Sequence, residues 1–118
     1  MAKTPVSRIG KQIRKRALSY PETTEEFPWG EHAFKVNRKT FVFMRDDAAE
    51  TSFSVKLPHS RKEALQLPGS EPTHYGLGAK GWVTLCADDK SAIDTLYGFI
   101  DESYRAIAPK RALAKLET

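Results

Sequence analysis

An α+β domain, an antiparallel sheet packed against helices, is the fold this sequence predicts, and three observations carry the prediction. From His32 to Leu57 apolar and polar residues alternate with the period of two that a half-buried strand requires. Farther on, Ile93, Leu96, Tyr97, Ile100, Tyr104 and Ile107 recur at helical spacing, the clearest amphipathic pattern in the chain. A chain of 118 residues is also the size of one domain, long enough to bury roughly 60 to 70% of its unfolded surface around a single core.

Taken in order, the elements begin with Thr4 and Pro5, a hydroxyl cap followed by a proline at the first helical position. The helix is expected to run to about Leu18, with Val6, Ile9, Ile13, Ala17 and Tyr20 on one face. Pro21 ends it, and the acidic stretch that follows reads as loop or a short turn. Three strands are expected between His32 and Leu57, carrying Phe34 and Val36, Phe41 and Phe43, then Phe53, Val55 and Leu57 on their apolar side. Asn37, Arg38 and Lys39 would turn the first hairpin, and Asp46 to Glu50 the second. Ser60 with Glu63, and Ser91 with Asp94, have the spacing of capping boxes, each opening a helix. Between those helices, residues 69–81 read as loop with a short strand at Tyr75 to Leu77, and Trp82 to Ala87 as a strand. Residues 1–108 are expected to form the domain and residues 109–118 a detachable basic tail.

Cys86 stands alone, so it forms no internal disulfide, and its place between Leu85 and Ala87 predicts a small buried hydrophobe. A reducing compartment follows. With no apolar run of a signal peptide or of the roughly 20 residues that span a bilayer, the expected location is cytoplasmic, with no membrane partner. The net charge of +4 is unevenly distributed. Residues 1–20 hold six bases and no acid, residues 21–31 four acids and no base, and residues 32–108 ten of each. The excess thus belongs to the N-terminal segment and, weakly, to Lys110, Arg111 and Lys115.

No catalytic or metal-binding constellation stands out. Gly76, Gly78 and Gly81 match the dinucleotide fingerprint in spacing, but the next element is the strand-forming run Trp82 to Leu85 and not the helix whose N-terminus would meet a pyrophosphate. A turn is the better reading. His32, His59 and His74 share no metal-ligand spacing with Cys86. Asp88, Asp89, Asp94, Asp101 and Glu102 could form a weak cation site but are more simply a solvated helix face. The expectation is therefore no enzyme, no cofactor and no metal.

Phe27, Pro28, Trp29, Gly30 and Glu31, then Phe34, Lys35, Val36 and Asn37, then Lys80, Gly81, Trp82 and Val83, and finally Glu102, Ser103 and Tyr104 form an ordered set. The set resembles the MmcQ/YjbR family over roughly Pro5 to Ile107. The resemblance implies a CyaY-like fold, which has also been compared with the double-wing DNA-binding domain of the phage activator MotA. The frataxin branch of that fold uses an acidic first helix for iron; here the first helix is basic, which disfavours iron. The family usually carries glycine after the asparagine of the first turn, where this chain has Arg38. A two-residue turn would force positive φ on that arginine, so a longer or different turn is expected.

The leading functional expectation is a nucleic-acid-binding module without catalytic activity, its partner double-stranded DNA. Lys35, Arg38, Lys39, Arg45, Lys56 and Lys80 would neutralise phosphates, with a contribution from the first helix. The alternative is a protein-interaction or small-ligand-binding module using an aromatic surface around Trp29, Tyr75 and Trp82. Trp29 also has a structural reading, as a buried anchor in a proline- and glycine-shaped turn.

Overall fold

A computed structural model describes residues 7–27, 30–47, 50–74, 76–88 and 90–116. Its elements are α1 (Arg8–Leu18), β1 (Thr23–Glu26), β2 (His32–Val36), β3 (Lys39–Asp46), β4 (Thr51–Lys56), α2 (Arg61–Leu65), β5 (Glu71–Pro72), β6 (Trp82–Ala87), α3 (Ile93–Ile107) and α4 (Lys110–Leu116). The strands form one antiparallel sheet in the order β1-β2-β3-β4-β6-β5. This is the α+β architecture expected. Helices α1 and α3 lie against one face, over a core that includes Phe34, Phe41, Phe53, Leu85, Ile100 and Tyr104.

The helix start expected at Thr4 and Pro5 lies outside the described residues, as does Val6. Ser7 caps α1, its hydroxyl accepting from the Gly10 amide at 2.9 Å. The same hydroxyl donates to Asp46 at the end of β3, and the Ser7 amide also donates to that carboxylate. Gly10 permits this approach, because a Cβ there would sit 2.7 Å from the Asp46 carboxyl carbon. Ile9, Ile13, Ala17 and Tyr20 are buried, as the helical spacing predicts.

The acidic stretch after Pro21 is a strand and not the expected loop. Thr23–Glu26 pairs with β2 as the edge of the sheet. Glu25 faces inward there and is matched by Arg14 Nε at 2.9 Å and by the buried His32 Nδ1 at 2.7 Å. Polar side chains on both faces hide such a strand from a search for apolar alternation.

β3 departs from simple alternation. Phe34 pairs with Val42 and Lys35 with Thr40, leaving Phe41 as the extra residue of a β-bulge. Phe41, Val42 and Met44 are all buried, and Phe43 shifts to the face away from α1 and α3. The assignment of Phe41 and Phe43 to one apolar side is corrected accordingly. Cys86 is corrected for a related reason: on β6, Val83, Leu85 and Ala87 take the helix-facing positions, and Cys86 is exposed on the other face.

Neither capping box forms. Ser60 turns its hydroxyl to Glu102 on α3 at 2.7 Å, and Ser91 interacts with Asp88 while Ala92 occupies the cap of α3. The short strand expected at Tyr75 to Leu77 is instead β5 at Glu71–Pro72; Tyr75 itself lies outside the described residues. Gly78–Lys80 forms a single 3₁₀ turn, and Gly81, at φ 92°, redirects the chain into β6. The segment expected as a detachable tail forms α4, with Ala112 in the core and Arg111 and Lys115 paired with Glu22. These two cations hold the Glu22 carboxyl below its ordinary range through their hydrogen bonds.

Candidate nucleic-acid interface

The β2–β3 hairpin closes through the two-residue turn Asn37–Arg38, between the paired residues Val36 and Lys39. Both turn residues are left-handed, Asn37 at φ 51° and Arg38 at φ 66°. The expectation of a longer or different turn is thus overturned. Positive φ at both central residues matches the twist of the flanking strands, and the register gained along β2 and β3 outweighs the local cost to arginine. That cost is about 1 to 2 kcal/mol for a residue with a Cβ.

The sheet register then places the expected cations. Asn37–Arg38 lies at the start of β3, and β3 pairs antiparallel with β4, so the tip shares one end of the sheet with Lys56, the last residue of β4. Lys56 in turn lies opposite Trp82, two residues after Lys80, and the Leu57 amide bonds to the Gly81 carbonyl at 2.9 Å. Arg38, Lys39, Lys56 and Lys80 therefore gather at one end of the sheet. Arg38, Lys39 and Lys80 are exposed, Lys56 is half-buried, and none of the four has a carboxylate partner among the described residues.

The other two expected cations are arranged differently. Lys35 is bound to Glu26 at 2.7 Å across the β1–β2 pair. Arg45 lies six residues beyond Lys39, roughly 20 Å along the strand, at the opposite end of the sheet, where Glu31 meets it at 3.5 Å. The faces differ too. Lys35, Arg45 and Lys56 occupy the side away from α1 and α3, while Lys39, opposite Val36, belongs to the helix-facing register. The end of the sheet, and not a face of the hairpin, collects the charge.

α1 carries a second basic stripe. Arg8, Lys11 and Lys15 are exposed, share the helix side opposite Ile13 and Ala17, and have no carboxylate partner among the described residues. Arg14 and Arg16 are otherwise engaged, the first with Glu25 and the second over the rings of Tyr20 and Tyr97.

Trp82, expected in an aromatic surface, is buried and packs against Phe43 with ring centroids 5.7 Å apart. Trp29 and Tyr75 lie outside the described residues. Glu102, Ser103 and Tyr104 each fasten a different segment. Burial works to raise the Glu102 pKa, but hydrogen bonds from the Ser60 hydroxyl and the His59 and Ser60 amides outweigh it and hold the carboxyl low. Ser103 bridges β3 and β4, and the Tyr104 hydroxyl donates to the Pro21 carbonyl at 2.8 Å.

The YjbR family model matches residues 18–106, most of the chain and all six strands. The chain belongs to the YjbR family. Among curated proteins, none matches it. A crystal structure of a protein from Pseudomonas syringae, a Northeast Structural Genomics Consortium target, superposes with a TM-score of 0.68 at 17% identity, covering 86% of this chain and 98% of that one. That likeness is one of fold. Within this YjbR domain the Glu102–Ser103–Tyr104 run is occupied in holding strands and turns together. Among the described residues no group of three histidine, cysteine or acidic side chains is placed to hold a metal ion, and no helix is long and apolar enough to cross a membrane.

Proposed function

We propose that this YjbR protein is a non-enzymatic nucleic-acid-binding module that grips the phosphates of duplex DNA at the wing end of its sheet. The observation that carries this reading is Arg38. An exposed arginine is held in a left-handed turn where glycine or asparagine would cost less, and backbone cost of this kind collects where a side chain is needed for function. Lys39, Lys56 and Lys80 accompany it at the same end, none of them in an ion pair with a carboxylate among the described residues. Each can neutralise one phosphate and release its counterions, an attraction that reads no sequence. No helix contributes base-reading side chains in this scheme, so binding is largely nonspecific.

A short labelled duplex titrated at low salt tests the reading. Wild-type protein binds, and Arg38→Glu with Lys39→Glu weakens binding strongly while leaving the circular dichroism spectrum unchanged. Equal binding by the folded double variant would remove the wing from the mechanism.

A further inference from the structure

The sheet face away from α1 and α3 carries a groove of about 940 Å³ that nucleic-acid binding leaves unused. Its floor follows one row of the register, from Phe43 to Ser54 to Thr84 to Glu71 across β3, β4, β6 and β5. Three strand spacings make that row roughly 14 Å long. The hydroxyls along it form a chain, Ser54 to Thr84 at 2.7 Å and Thr84 to Thr73 at 3.1 Å, and Phe43 adds an apolar stretch. Glu31, Glu50 and Glu71 line the groove with Arg45 and His74; Arg45 meets Glu31 at 3.5 Å, the His74 ring lies 3.2 Å from Glu71, and Glu50 accepts only from the Cys86 thiol among the described contacts. The groove is thus acidic, and it would repel the phosphates that the wing end attracts.

We infer that this groove binds a small organic cation, a flexible amine with an apolar chain. Its volume falls within the range of small-ligand sites. Ammonium groups complement Glu50 and Glu71, their N–H bonds suit the hydroxyl row, and a methylene chain lies over Phe43. The carboxylates are too dispersed for a metal ion, since no set of three ligating side chains converges among the described residues. Burial first, then Glu50, with Glu71 and Asp88 nearby, raises the pKa of the Cys86 thiol, which is consistent with a negative potential on the groove lining.

Cys86 is the one cysteine of the chain, lines the groove and is exposed, so its reactivity reports occupancy. The probe is spermidine, and the readout is the rate at which a neutral methanethiosulfonate modifies Cys86 in the intact protein. Spermidine slows modification saturably, and in the folded variant Glu50→Gln/Glu71→Gln the half-protecting concentration rises about tenfold or more, as expected when two charges facing a cation are removed. In wild type without spermidine, a cationic methanethiosulfonate reacts faster than an anionic one, relative to their rates with a free thiol. Absence of protection by millimolar spermidine, or equal protection of the double variant, overturns the inference. The groove charges lie away from the wing cations, so Arg38→Glu/Lys39→Glu leaves the protection unchanged, and failure of DNA binding does not bear on the result.

Discussion

The hydroxyl of Ser103, on α3, donates to the carbonyl of Phe41 at 2.6 Å, the residue that bulges out of the β2–β3 ladder. The same oxygen accepts from the Lys56 amide at 2.9 Å, so one fully buried side chain satisfies two backbone groups on adjacent strands. Ser103→Ala removes both partners and is expected to destabilise the domain by about 2 kcal/mol. The check is a lower urea midpoint at unchanged slope. A midpoint equal to that of wild type would mean that water or a backbone shift replaces the hydroxyl.

Arg38 separates stability from function. Glycine carries no penalty at φ 66°, so Arg38→Gly is expected to stabilise the fold by about 1 kcal/mol while weakening DNA binding. Arg38→Ala keeps a Cβ and is expected to lose the binding without gaining the stability. Thermal melts of the two variants, run beside their duplex titrations, distinguish backbone strain from charge.

Tyr20 predicts the alkaline limit. Its ring stacks on Tyr104 with centroids 4.5 Å apart, and burial, followed by the nearby Asp101, pushes its pKa up to about 12 from 10.0. The folded state therefore keeps a proton that the unfolded chain releases near pH 10. Stability from this group is complete below that pH and is lost as pH rises through about 12. Urea midpoints should fall across this window, and Tyr20→Phe should flatten that fall. An equal fall in the variant would assign the loss to other groups.

The parts of the fold that follow a regular period were legible in the sequence. The α3 pattern, the buried face of α1 and the existence of three strands between His32 and Leu57 are read from apolar residues at helical or alternate positions, although β3 itself does not keep the alternation. What escaped depended on partners distant in the chain. β1 has no apolar residue, and its inward Glu25 is sustained by Arg14 and His32. The Phe41 bulge is set by β2, and the Ser60 hydroxyl is claimed by Glu102, 42 residues away. The cations were legible by type, but their grouping was not. Only the register shows that Arg38, Lys39, Lys56 and Lys80 share an end, while Glu26 and Glu31 engage Lys35 and Arg45. The acidic groove gave no sequence signal, because its carboxylates come from separate turns and an edge strand.

The salt dependence of duplex binding tests the wing-end account most directly. If Arg38, Lys39, Lys56 and Lys80 each neutralise one phosphate, log affinity falls against log salt with a slope near −3.6, about a hundredfold loss between roughly 50 and 200 mM. Arg38→Glu/Lys39→Glu should bring the slope to about −1.8 or flatter, whereas Arg8→Glu/Lys11→Glu on α1 should leave it near the wild-type value. The α1 pair controls for net charge, since both variants change it equally. No binding to duplex at low salt, an unchanged slope in the folded wing variant, or an equal flattening by the α1 variant would contradict the account.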